Sequence, residues 1–222
     1  MKKAGAGFKS RIVLLGPPAS GKGTQAELIK ARYGIEPTST GAMLRDELRR
    51  GTEIGIAADE LTRRGQLVPD SMVIGLVENW LSARDGSFVF DGFPRTLAQG
   101  IELEKLLLTR QTPLDAVFFF NVSQEVIRER VLHRVTCEEC GRIFSIGLQV
   151  AAENNPCPVC RGHLVHRSDD TLEALEQRMN EYRQKTEPLV PFYREAGLLV
   201  ELAAAESPEA VFSEISTVME AA

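Results

Sequence analysis

The stretch from Arg11 to Tyr33 constrains the chain most. Arg11 to Leu15 is a short apolar run that reads as a buried strand, and Lys22 to Tyr33 reads as a helix. Between them lies Gly16-Pro17-Pro18-Ala19-Ser20-Gly21-Lys22-Gly23-Thr24. A strand that enters a glycine loop and leaves it as a helix is the start of a βα unit, and such units build parallel sheets covered by helices. Glycines let backbone N–H groups curl around phosphate oxygens. The helix N-terminus adds a partial positive charge and Lys22 adds a full one. Gly16, Pro17, Ala19, Ser20, Gly21, Lys22, Gly23 and Thr24 are therefore the candidate phosphate cradle. The usual pattern puts Ser or Thr directly after the lysine; here Gly23 intervenes and Thr24 supplies the hydroxyl.

The rest of the chain continues the alternation. Ser87 to Phe90, Ala116 to Val122 and Leu198 to Leu202 are further short apolar runs. Runs of this kind between helices mark a parallel sheet buried on both faces. Asp170 before Thr171-Leu172-Glu173 predicts a capped helix start, with Leu172, Leu175, Met179 and Tyr182 on its core face and Pro188 as its limit. Ser207-Pro208 predicts another, with Val211, Ile215, Val218 and Met219 facing the core. The segments 39–68 and 135–167 fit the alternation poorly and read as insertions. At 222 residues, the chain is about one and a half typical domains long, which suits one core carrying insertions. Lys plus Arg is 26 against 31 Asp plus Glu, a net charge of −5. That balance argues against nucleic-acid and membrane-surface partners. No apolar stretch reaches the ~20 residues of a membrane span, and the basic start lacks a signal peptide's long apolar region. A cytoplasmic location is expected.

Several further motifs follow the glycine loop in order: STGAMLR at 39–45, GQLVPD at 65–70, DGFPRT at 91–96 with Gln99, and RSDD at 167–170 with Arg178. Together with GPPASGKGTQ at 16–25, they resemble the adenylate kinase family in its long form with a large lid. The resemblance runs from about Arg11 to Pro191. It implies an α/β P-loop NTPase fold, a central parallel sheet flanked by helices with two inserted subdomains. The implied core is 9–38, 69–129 and 168–222, with an AMP-binding insertion at 39–68 and a zinc-binding lid at 130–167. The implied reaction is reversible phosphoryl transfer from Mg-ATP to AMP, giving two ADP, for adenine nucleotide homeostasis and nucleotide biosynthesis. The implied state is a monomer.

Phosphoryl transfer gathers negative charge that the protein must neutralise from several sides. The resemblance assigns Lys22, Arg95, Arg134, Arg167 and Arg178 to that task. It puts the ATP phosphates on the glycine loop with Arg134, and Arg130 over the donor adenine. For AMP it implies Thr40, Gly41, Arg45, Gln66, Val68, Gly92, Arg95, Gln99, Arg167 and Arg178, with Thr40 and Gln99 facing the base. A glutamine amide both accepts from and donates to an adenine edge. Asp91 would reach Mg²⁺ through water, since Mg²⁺ keeps several waters. Asp169 and Asp170 divide evenly between capping a helix and orienting arginines or metal waters. The acceptor phosphate is already nucleophilic at neutral pH, with its second pKa near ~6, so no catalytic base is required; His133, His163 and His166 are expected on the lid surface. Ala42 stands where relatives usually carry Asp, Val135 where a second arginine is frequent, and VELAAAES lacks the Asp-Gly often found there.

Cys137, Cys140, Cys157 and Cys160 form C-x₂-C-x₁₆-C-x₂-C and are all the cysteines in the chain. Two such knuckles close a tetrahedral thiolate shell around zinc, and four thiolates leave no open position, so the metal would be structural. The alternative readings are a kinase for another nucleoside monophosphate, GTP as the donor, or a P-loop regulator whose zinc ribbon binds nucleic acid. The ribbon is not strongly basic and lacks interleaved aromatics, which disfavours the last.

Overall fold

The computed structural model describes residues 8–63, 68–84, 86–166 and 170–221, apart from the side chains of Ala42, Arg45, Thr62 and Arg63. Strand β1 (Arg11–Leu15) leads through the glycine loop to α1 (Lys22–Tyr33). The chain continues with β2 (Pro37–Thr38), α2 (Thr40–Arg49), α3 (Glu53–Arg63), α4 (Asp70–Ser82), β3 (Phe88–Asp91), α5 (Leu97–Thr109), β4 (Ala116–Asn121) and α6 (Gln124–Leu132). Three short strands follow, β5 (Arg134–Cys137), β6 (Ile143–Ser145) and β7 (Leu164–Val165). The C-terminal part holds α7 (Leu172–Glu181), a π-helical turn (Tyr182–Thr186), α8 (Leu189–Glu195), β8 (Leu199–Ala203) and α9 (Pro208–Glu220).

The main sheet has the order β2-β3-β1-β4-β8 and all its pairings are parallel. Alternation along the strands divides the core. Val13, Leu15, Phe88, Phe90 and Val117 face α4, α5 and α8, where Val77, Leu103, Leu107, Leu189 and Tyr193 are fully buried. Ile12, Leu14, Val89, Phe118 and Phe120 face α1 and α9, against Ile29, Ile215 and Met219. Burial on both faces explains why these strands read as continuous apolar runs rather than alternating ones. A separate antiparallel sheet, β6-β5-β7, carries its own small core of Val135, Val150 and Leu164 around Cys137 and Cys157. No helix among the described residues is long and apolar enough to cross a membrane.

The cap at Ser207 forms as expected, its hydroxyl accepting from Ala210 N–H with Pro208 first in the helix. The other predicted start needs two corrections. Thr171, not Asp170, caps α7, its Oγ1 accepting from Ala174 N–H at 3.1 Å. The Asp170 carboxylate is taken by Arg134 instead. Leu172, placed on the core face by its spacing, is 48% exposed; as first residue of α7 it precedes the turn that meets α6 through Leu175.

Candidate active site

β1 delivers the phosphate loop to the C-terminal edge of the sheet. Gly16 has φ +155° and Gly21 φ +102°, values that L side chains rarely adopt. A Cβ on Gly16 would also lie 3.0 Å from Phe120 Cβ and from Ser20 Oγ, because the loop presses against the end of β4. α1 opens without a side-chain cap and without an acid in its first turn. Its leading N–H groups are thereby left for an anion.

Lys22 folds back into the loop. Its Nζ donates to the carbonyls of Gly16 (2.9 Å) and Pro17 (2.7 Å) and to Ser20 Oγ (3.2 Å). Removal from water lowers its pKa to about 8; Asp91 opposes the drop, and Arg95, Arg178 and Arg134 add to it. Those charges, delivered by β3, the loop after it, α7 and β5, act on one point. Asp91 ends β3 beside β1. Burial raises its carboxyl pKa, against the pull of Lys22 and Arg95. A Cβ on Gly23 would lie 3.7 Å from Asp91 Oδ2, so the carboxylate stands beside the first turn of α1. A carboxylate oxygen there suits a hard cation such as Mg²⁺.

The arginines are held by named partners. Arg130 on α6 donates to the carbonyls of Ser20 (3.1 Å) and Ala204 (2.7 Å), bridging the phosphate loop to the end of β8. Arg134, first in β5, grips Asp170, whose side chain is fully buried, through Nε (2.7 Å to Oδ2) and Nη2. Arg178 Nη1 lies 4.0 Å from the same carboxylate. Asp170 therefore orients arginines. Arg95 Nε donates to Gly92 C=O at 2.8 Å, where Gly92 turns with φ +73°. The adjoining Phe93–Pro94 peptide is cis.

Of the residues expected to meet AMP, Thr40 is buried at the start of α2 with Gly41 next to it, and Val68, just before α4, is partly buried against the main core. Gln99 is 5% exposed. Its Oε1 accepts from Arg95 N–H (2.8 Å) and its Nε2 donates to Asp70 Oδ1 (2.6 Å). Arg45 belongs to α2, but its side chain lies outside the described residues, as do Gln66, Arg167 and Asp169 entirely. The three histidines are exposed. The reading of the sequence missed Asp70 as a side-chain partner and also missed Thr186, whose hydroxyl donates to Arg95 C=O at 2.8 Å. Asp70 carried a faint signal as the acid opening a helix; Thr186, in the π-helical turn, carried none.

The four cysteine sulfurs lie within 4.8 Å of one another. Cys137 Sγ and Cys160 Sγ are 3.4 Å apart, Cys140 Sγ and Cys157 Sγ 3.7 Å. A tetrahedral site with Zn–S of about 2.3 Å puts its sulfurs about 3.8 Å apart, so the set fits zinc. Both close approaches run between the two knuckles, Cys137–Cys140 and Cys157–Cys160, which are closed the same way: Gly141 N–H to Cys137 C=O and Arg161 N–H to Cys157 C=O.

A doubly covered parallel sheet with this loop, its enclosed lysine and converging arginines defines a P-loop phosphotransferase. A family model described as adenylate kinase matches residues 14–198. The adenylate kinase of Archaeoglobus fulgidus is 40% identical over 211 residues, covering 94% of this chain and 97% of that protein. The adenylate kinase of Gloeobacter violaceus is 41% identical over 217 residues, 92% and 96% of the two chains. That of Clostridium tetani is 38% identical over 210 residues, 94% and 97%. The chain belongs to the adenylate kinase family and is a nucleoside monophosphate kinase.

Proposed function

We propose that the protein transfers a phosphoryl group reversibly from Mg-ATP to AMP, giving two ADP, in a site centred on Lys22. The observation that carries this is the meeting of Lys22, Asp91, Arg95, Arg134 and Arg178 in one electrostatic neighbourhood at the mouth of the glycine loop. The loop from Gly16 to Thr24 holds the donor phosphates through N–H groups and Lys22, with Arg130 and Arg134 on the donor side. Thr40, Gly41, Arg45, Gln66, Val68, Gly92, Arg95 and Gln99 receive AMP. Lys22, Arg95, Arg134, Arg167 and Arg178 neutralise charge on the moving group, and such neutralisation with positioning is what phosphoryl transfer asks of a protein. Asp91 meets the ATP-borne Mg²⁺ through water. We assign 9–38, 69–129 and 168–222 to the core, 39–68 to AMP binding and 130–167 to the lid, and we read the protein as a cytoplasmic monomer.

Zinc is the fitting occupant of Cys137, Cys140, Cys157 and Cys160, where it would stabilise the lid without touching substrate. The test of function is an activity matrix of ATP and GTP as donors against AMP, IMP, GMP, CMP and UMP as acceptors. ATP with AMP should dominate and yield ADP alone. Equal turnover of other acceptors would overturn the choice of AMP.

A further inference from the structure

Gln99 is anchored on both sides by partners that have no choice of role. Arg95 N–H can only donate, and it meets Oε1 at 2.8 Å. A carboxylate only accepts, and Asp70 Oδ1 meets Nε2 at 2.6 Å. The orientation of the Gln99 amide is thus fixed by chemistry. The other oxygen of Asp70 is fixed as well: Oδ2 accepts from Thr96 Oγ1 at 2.8 Å, and Thr96 Oγ1 in turn accepts from Gln99 N–H at 3.1 Å as the cap of α5. Asp70, in the first turn of α4, thereby ties that helix to the first turn of α5 and to the loop carrying Arg95. None of the roles assigned above uses it.

An amide held in this way has one N–H and one oxygen lone pair left, in a single order. The Watson–Crick edge of adenine offers an acceptor at N1 and a donor at N6. The edge of hypoxanthine offers the reverse, a donor at N1 and an acceptor at O6. A free glutamine serves either edge by rotating its amide half a turn. Here that rotation would turn Oε1 against the Asp70 carboxylate and Nε2 against Arg95 N–H, leaving acceptor facing acceptor and donor facing donor in a buried place. We propose that Asp70 is a specificity-determining positioning residue, which locks the Gln99 amide in the order that matches a 6-amino purine and rejects a 6-oxo purine. The proposal rests on the reading that Gln99 meets the acceptor base.

The experiment compares kcat/KM for AMP and for inosine monophosphate, which differ at this edge alone, with ATP as donor. Parent, Asp70→Asn, Gln99→Ala and the double variant are measured, with circular dichroism as the fold control. An asparagine presents an N–H₂ as readily as an oxygen, so it removes the obligate acceptor at Nε2 and leaves Arg95 N–H as the one remaining hold on the order of the amide. In Asp70→Asn the AMP-to-IMP preference should fall at least about tenfold, since the rejection of a mismatched polar edge is lost. The kcat with saturating AMP should fall less, and the double variant should discriminate no better than Gln99→Ala. If Asp70→Asn weakens both acceptors equally while Gln99→Ala collapses the preference, Asp70 is a structural tie only and the proposal fails, with Gln99 still at the base. If Gln99→Ala leaves the preference intact, the reading of Gln99 fails and takes the proposal with it. Should Asp70→Asn not fold, NMR of the ¹⁵N-labelled parent decides. With ¹³C labelling added, a through-hydrogen-bond coupling from the Arg95 backbone nitrogen to the Gln99 side-chain carbonyl carbon should be seen, and its absence, with the Gln99 amide protons exchanging with water as fast as those of an exposed glutamine, would overturn the lock.

Discussion

Lys22 is the residue at which the electrostatics of the fold can be measured. Its pKa near 8 follows from removal from water and from the surrounding arginines, with Asp91 opposing. Nucleotide phosphates would add negative charge beside it and raise that pKa again. Between about pH 8 and 10, the complex should therefore hold more protons than the free protein. Calorimetry of a non-hydrolysable ATP analogue at pH 8.5, in buffers of different ionisation enthalpy, should show net proton uptake that vanishes in Lys22→Met. The same sign governs stability. The folded protein binds fewer protons at Lys22 than the unfolded chain does between about 8 and 10.5, so this residue's contribution to unfolding free energy rises with pH through that window. Asp91, raised by burial, works the other way: its contribution falls as pH climbs from 3.8 through its folded pKa. On the proposed role of Lys22 in neutralising charge of the transition state, Lys22→Met should also slow transfer on the order of 10²–10³-fold with the fold intact. Single-turnover rates check this, and near-parental turnover would remove Lys22 from the chemistry. Lys22 was legible in the sequence because its loop is local, a run of glycines between a strand and a helix. Asp70 and Thr186 were not, because they act across 29 and 91 positions, on Gln99 and Arg95. No local pattern records a partner that distant.

At the scale of elements, a contact between helices and a clasp between strands each predict a measurable cost. Gly55 sits in the first turn of α3 where it crosses the end of α2. A Cβ there would lie 2.3 Å from Leu48 N and 2.4 Å from Glu47 C. Those are backbone atoms, so no rotamer relieves the clash. Gly55→Ala should force the two helices apart and cost about 1–3 kcal/mol or more, with a matching rise in KM for AMP, because α2 begins at Thr40. Thermal unfolding and acceptor kinetics test it; unchanged values would mean that the two helices do not pack in this way. The second site is Asp115, just before β4. Its carboxylate accepts from Ser10 N–H and Arg11 N–H, both at 2.9 Å, and from the Arg11 guanidinium. Burial pushes its pKa up, but Arg11 and the two backbone donors outweigh that and hold the carboxyl below 3.8. Its stabilisation is thus present above 3.8 and lost as pH falls through the lower folded value. Asp115→Asn should cost about 1–3 kcal/mol at pH 7, and the gap from the parent should close in acid, as urea titrations at pH 7 and pH 2.5 would show. Transfer should persist, because Asp115 stands at the opposite ends of β1 and β4 from the phosphate loop. The long strands were legible from apolar runs. β2, β5, β6 and β7 are two to four residues each, too short to carry a period, and the π-helical turn has the same spacing signature as the helix it extends.

Across the whole molecule, two kinds of core hold the chain together, and they set its last prediction. The main sheet is packed on both faces by helices and needs no further support. The small sheet from Arg134 to Val165 has only Val135, Val150 and Leu164 buried beside Cys137 and Cys157, with Phe144 and Ile146 partly covered. So few apolar groups do not offset the entropy of ordering some thirty residues, and such modules depend on a metal or a disulfide. The cysteine spacing made this legible, because ligand geometry is written in spacing even where hydrophobic pattern is absent. The small sheet also carries Arg134, which is fixed from outside it by Asp170. Replacing Cys157 and Cys160 together by Ala should remove about one zinc per chain. Binding to the folded lid alone adds stability by linkage, so the melting temperature should fall. Transfer at low temperature should survive in large part, because Lys22, Arg95 and Arg178 do not stand on this sheet and Asp170 still holds Arg134 from α7's start. On the proposed role of the small sheet as a lid, loosening it should admit water to the phosphoryl group, so ATP hydrolysis without acceptor should rise relative to transfer. Elemental analysis, thermal unfolding and both rates on the same preparations separate the outcomes. A parent protein free of metal and melting as high as a zinc-loaded one would falsify the structural role. A folded double variant with no transfer at low temperature would show instead that the cysteine-held knuckles shape the catalytic site itself, through Arg134.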